Sequence, residues 1–210
     1  MNKQIVVTLA IVLSSLALDA QAVTRTLSGD EFLFTENSEV RGNPLLFDDW
    51  KKADLIDVQG QTTKDVMVNY NTLTHKFITE IENNQFLELN FFHYQKVVFE
   101  NETYVNLSKS GDPCYAKLIY EGKDFACYEK VAGQKRRTDS NKYNEVKSFY
   151  KITKTTTTLF FKDGSLNEIK RKDKDLAKFF PEKNVKSLLK THGLNIKNDE
   201  DLAKLLALLN

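Results

Sequence analysis

Between residues 54 and 170 the chain runs through successive short segments rich in Val, Ile, Thr, Phe and Tyr, separated by turn-forming residues. Pleated surfaces prefer those residue types. Alternation is clear where Val66, Val68 and Tyr70 fall on one face of an extended segment. In Phe77-Ile78-Thr79-Glu80-Ile81 both faces are partly apolar. The turns are marked by Gln59-Gly60-Gln61, Asn83-Asn84, Glu100-Asn101-Glu102 and Asp163-Gly164. Asp-Gly and Asn-Asn tolerate the positive φ that tight hairpins require. Connections this short favour antiparallel pairing, because a parallel crossover takes about a dozen residues. The expectation is a mainly β domain over residues 23–170, its antiparallel strands forming a roll, a sandwich or a partly open barrel.

The period changes after residue 170. In PEKNVKSLLKTHG, Pro181 opens a short helix, Val185, Leu188 and Leu189 form its apolar stripe, and Gly193 ends it. In NDEDLAKLLALLN, Asn198 caps a second helix, and three acids sit in its first turn, where the helix dipole favours them. Leu202, Leu205, Leu206 and Leu209 recur at helical spacing. Residues 171–210 therefore read as a pair of short helices docked on the sheet. The stretch from Gly133 to Asn144 lacks hydrophobic periodicity and reads as a loop.

The first 22 residues, MNKQIVVTLAIVLSSLALDAQA, combine Lys3, an apolar run from Ile5 to Leu18 and an Ala20-Gln21-Ala22 cleavage pattern. This is the arrangement of a secretory signal peptide. The run is shorter than the ~20 residues a membrane span needs, and no later stretch approaches that length. The expected location is exported: periplasmic or extracellular, with peripheral attachment to the outer membrane open. Export places Cys114 and Cys127 in an oxidising compartment. A hairpin turning near Glu121-Gly122 makes them diagonal neighbours on one face, so they are candidates for a disulfide. Two buried thiols are the alternative.

Two long segments carry a resemblance. GNPLLFDDWKKADLIDVQG joins an aromatic and acidic run, ending in Trp50, to a strand. KFFPEKNVKSLLKTHGLNIKNDEDLAKLLALLN closes the chain with a basic stretch, a helix and an acid-capped helix. Together they resemble an exported, β-rich protein family common in Bacteroidetes-type bacteria. The resemblance implies export and transfers no activity and no site residue.

Overall charge is balanced, with 30 Lys and Arg against 29 Asp and Glu, but its distribution is not. Residues 23–122 hold 9 basic and 16 acidic side chains, while residues 123–183 hold 16 basic and 9 acidic. The asymmetry admits an anionic partner, mutual attraction between two parts of one fold, or solvated strand faces. Lys135-Arg136-Arg137 and Lys170-Arg171-Lys172 are candidates for contact with anions such as phosphate-bearing lipid or lipopolysaccharide. Near-zero net charge and export argue against nucleic acid.

Catalytic chemistry is sparse. His75, His93 and His192 form no H-x-H or H-E-x-x-H unit. No G-x-S-x-G turn and no glycine-rich phosphate loop occurs. Asp48-Asp49 and the pair Glu80 and Glu82 are the carboxylates to consider for hydrolysis. No catalytic residue, metal site or cofactor is expected. Three functional readings stand: a non-catalytic envelope binding or structural module whose partner is a protein, glycan or lipid; a carrier of an apolar ligand inside a curved sheet; and a carboxylate-dependent hydrolase.

Overall fold

The computed structural model describes residues 27, 29–32, 40–81, 86–108, 111–142 and 145–210. The proposed signal peptide, the Asn83-Asn84 turn and Glu82 lie outside the described residues. The strands are β1 (Gly29–Phe32), β2 (Val40–Arg41), β3 (Lys51–Asp57), β4 (Thr62–Asn71), β5 (Lys76–Glu80) and β6 (Phe86–Leu89). They continue with β7 (Tyr94–Val98), β8 (Thr103–Asn106), β9 (Tyr115–Glu121), β10 (Phe125–Lys142), β11 (Glu145–Lys162) and β12 (Ser165–Ile169). Three helices close the chain: α1 (Asp173–Phe179), α2 (Val185–His192) and α3 (Asp199–Leu209).

The protein is mainly β, as its residue pattern predicts. One open sheet runs β1-β6-β5-β4-β3-β7-β8-β9-β10-β11-β12, and every neighbour in that path is antiparallel. The two-residue β2 adds a parallel pairing to β11. The turn chemistry acts as expected. Asp163 and Gly164 both adopt positive φ, 52° and 74°, and close the β11–β12 hairpin. The Asp57 carboxylate accepts from Gln59 and Gln61 amides, with Gly60 at φ 82°, between β3 and β4. The Phe99 amide donates to the Glu102 carbonyl between β7 and β8.

The sheet is strongly curled. β6 passes to β7 through the single turn Asn90–His93, yet β5, β4 and β3 lie between those strands in the sheet. Laid flat, they would be about 19 Å apart at ~4.8 Å per strand, and one tight turn cannot cover that distance. Aromatic contacts across the curl agree. The Phe77 ring on β5 lies 5.4 Å from Tyr104 on β8 and 5.1 Å from Tyr115 on β9. Tyr70, Phe99, Leu89 and Val68 complete this interior, and Val68 and Tyr70 share a face as their alternation requires. Buried hydroxyls are satisfied: Tyr115 donates to the Tyr94 carbonyl at 2.8 Å.

A second core lies between β9–β12 and the helices. Phe125, Cys127 and Phe160 of the sheet meet Leu176, Val185, Leu202, Leu205, Leu206 and Leu209. Asn198 caps α3 by accepting from the amides of Glu200 and Asp201. Gly193 ends α2 in the left-handed conformation. Two expectations are corrected. Pro181 does not open a helix: it follows α1, and α2 begins at Val185 with Asn184 as its cap. The helix α1 was not anticipated, because Leu176 alone is its fully buried anchor and seven residues give too little periodicity.

Candidate functional site: a basic ribbon and a lysine-lined surface

Of the stretch expected to be a loop, the described part, residues 133–142, is strand. β10 and β11 pair over eighteen residues each, from Phe125↔Lys162 to Lys142↔Glu145. Among the described residues β10 touches β9 only through Ala126–Glu129, and from Lys130 onward its only strand partner is β11. Propensity rules miss this element because Gly133, Gln134, Asp139, Ser140 and Asn141 are weak strand formers. Thr-rich β11 supplies the template. Gly133 is kept inside a strand by a close approach: its amide donates to the Thr72 carbonyl at 2.8 Å, and a Cβ there would lie 2.5 Å from the Thr72 hydroxyl oxygen.

Residues 130–154 carry eight basic and two acidic side chains. Lys135, Arg136, Arg137, Lys151 and Lys154 are all exposed. Register places Arg136 directly opposite Lys151, a like-charge pair across the ladder. The Lys135 ammonium stands 4.5 Å above the Tyr150 ring, and Arg41 of β2 lies 3.9 Å over Phe149. Arg137 is drawn toward Asp139 at 3.7 Å.

The second basic motif divides. Arg171 is not available to a ligand: it donates to Glu129 at 2.7 Å, Asp199 at 2.6 Å and Thr158 at 2.8 Å. Lys117 joins the same network through Glu129 and Asp199. Burial pushes the Asp199 carboxyl up, but hydrogen bonds from Lys117 and Arg171, with their charges, outweigh it and hold the carboxyl below its ordinary value. Burial likewise pulls Lys117 down, and the hydrogen bond and charge of Asp199, with Glu129, reverse this and raise it. Lys170 and Lys172 remain exposed.

Cys114 and Cys127 are both free thiols. The hairpin register sets Cys127 opposite Tyr120, six residues along the chain from Cys114. Six extended residues cover roughly 20 Å, well beyond the reach of a disulfide. Cys127 belongs to the core beneath the helices, and burial pushes its thiol up to about 12. The Cys114 amide donates to the Ser108 hydroxyl on a separate connection.

The remaining candidates are dispersed. Asp48 and Asp49 are exposed in the bend before β3, and neither carboxylate has a hydrogen-bond partner among the described residues. His75 sits at φ 58° in the turn after β4, with Nδ1 buried and unpartnered; burial and nearby Lys130 lower its pKa. Among the described residues no three His, Cys, Asp or Glu side chains converge on one point. No described helix is long and apolar enough to cross a membrane. Compared with protein-family models, with curated proteins and with solved structures, the chain has no match.

Proposed function

We propose that this chain is an exported, non-catalytic binding module of the cell envelope that contacts an anionic surface through the β10–β11 ribbon. The observation that carries this reading is the row of cations across the outer ladder: Lys151 lies opposite Arg136 on β10 and opposite Arg41 on β2. Like charges directly opposed across a ladder destabilise it. A feature that costs stability in this way is accounted for by a partner that supplies the missing negative charge.

A second observation supports it. Among the described residues, no ion pair joins an acid of residues 23–122 to a base of residues 123–183. Apart from Arg171, which pairs with Glu129 and Asp199, and Arg137, which pairs with Asp139, no base of residues 123–183 forms an ion pair among the described residues. Export rests on the leader-like N-terminus and on the resemblance to exported proteins. The carrier reading is less favoured, because Phe77, Tyr70, Tyr104 and Tyr115 occupy the inside of the curl.

The test is sedimentation of the purified chain with isolated envelope membranes across a salt series. Binding is expected to fall as salt rises and to weaken roughly tenfold or more in the Lys135→Gln, Arg136→Gln, Arg137→Gln variant. Unchanged binding by that variant, with its far-ultraviolet spectrum intact, would remove the ribbon from the function.

A further inference from the structure

A second basic surface lies apart from the ribbon's outer half, where β12 meets the helices. Three grooves open there. The first, about 750 Å³, is lined by Lys170, Lys172, Lys174 and Lys178 beside Ile169 and Phe179. The second, about 520 Å³, runs along Thr156–Thr158 of β11 to Lys170, Lys172 and Lys197. The third, about 640 Å³, passes between Lys172, Lys186, Lys190 and Lys197. Lys172 lines all three, so they form one branched tract over β12, α1 and α2.

Residues 168–197 hold nine basic and four acidic side chains. Arg171 is consumed by Glu129 and Asp199, but none of the six lysines at 170, 172, 174, 178, 186 and 190 makes an ion pair among the described residues. Beside the second groove β11 also leaves backbone open. Its outer edge pairs with β2 only at Tyr150–Lys151 and with β12 only from Thr158, so Ile152–Thr157 have no strand partner on that side among the described residues. The tract thus offers cations at intervals, hydroxyls at Thr156 and Thr157, and a stretch of β11 edge with no strand beside it among the described residues.

We infer that this tract binds an extended anionic glycan, one whose carboxylate, sulfate or phosphate groups are spaced along a chain. A single anion would satisfy two or three of the lysines and leave the others repelling one another. A chain with repeated charge follows the tract from Lys178 past Lys172 to Lys197 or Lys190, and its hydroxyls suit the threonines and the open strand edge. The walls combine lysines with apolar side chains, Ile169 and Phe179 in the first groove and Leu194 and Ile196 in the third, and with the acids Glu168 and Asp175, which suits a chain that carries both charged groups and the apolar faces of sugar rings.

The experiment is a titration of the full chain with dextran sulfate fractions of graded length, with glucose 6-sulfate, inorganic phosphate and phosphatidylglycerol vesicles as comparison probes. Affinity is expected to rise with glycan length, to fall steeply with salt, and to be far weaker for both single anions. Lys170→Gln, Lys172→Gln, Lys174→Gln, Lys178→Gln should lower affinity for the long fraction roughly tenfold or more, while Arg at the same positions retains it. The ribbon variant Lys135→Gln, Arg136→Gln, Arg137→Gln separates the two surfaces, since it should keep the greater part of this affinity and lose envelope binding. Equal affinity for glucose 6-sulfate and the long fraction would overturn the inference. So would vesicle binding that alone depends on the four lysines, or length-dependent binding that only the ribbon variant abolishes.

Discussion

Cys127 shows how far one residue's chemistry depends on its neighbours. Its type and compartment allow either a disulfide or a buried thiol. The hairpin register, which sets it opposite Tyr120, and the leucines of α3 above it select the thiol. Burial holds the proton on, with Arg171 opposing and Asp199 and Glu129 assisting. In the native protein, iodoacetamide is expected to modify Cys114 faster than Cys127, which should react only after denaturation. Mass mapping of the labelled peptides checks this, and equal labelling of both under native conditions would contradict the packing. Asn106 makes a similar point. Its Asn-Leu-Ser context matches a glycosylation acceptor, yet its amide nitrogen donates to the carbonyls of Phe91 and Tyr94 and pins the β6–β7 turn.

At the scale of elements, the hairpins flanked by Gly60 and by Asp163-Gly164 were legible because a positive φ leaves a residue signature. The helix α3 was legible for a different reason: Asn198, its acids and its leucine stripe agree with one another. The ribbon was not legible. Its strands have a template in each other, and local propensity carries no record of a partner twenty residues away. Gly133 is the position where the ribbon meets the turn after β4. Gly133→Ala is expected to destabilise the protein by roughly 1–3 kcal/mol, because the added methyl meets Thr72 and the backbone there has little room to move. Urea unfolding measures it, and a neutral substitution would mean that the approach relaxes freely.

For the whole molecule, the deciding interactions are those between the helical cover and the sheet. The network of Lys117, Glu129, Arg171 and Asp199 joins β9, β10, the start of the helical segment and the first turn of α3. Asp199 has a depressed pKa in the folded state, so its contribution is fully present above its unfolded value of about 3.9 and is lost as pH falls through the folded one. Stability should therefore decline on acidification below about pH 4. Asp199→Asn should cost roughly 1–3 kcal/mol at neutral pH and flatten that acid limb. Urea midpoints measured across the pH series decide it; an acid limb as steep in the variant as in the parent would assign the effect to other carboxylates.

The amino-acid sequence by itself determined the β class, most of the turns, the Gly193 end of α2, the Asn198 cap of α3 and the uneven charge, because each depends on neighbours within a few positions. The curl of the sheet, the free thiols, the length of the ribbon and the division of Lys170-Arg171-Lys172 were decided only in three dimensions. Each of these depends on which distant strand or helix lies alongside. The middle residue of that motif, Arg171, is drawn inward by Glu129 and Asp199, residues 42 and 28 positions away in the chain, while its neighbours stay in solvent. Local pattern can propose a cation, but only tertiary packing determines whether an acid of the same chain has already neutralised it.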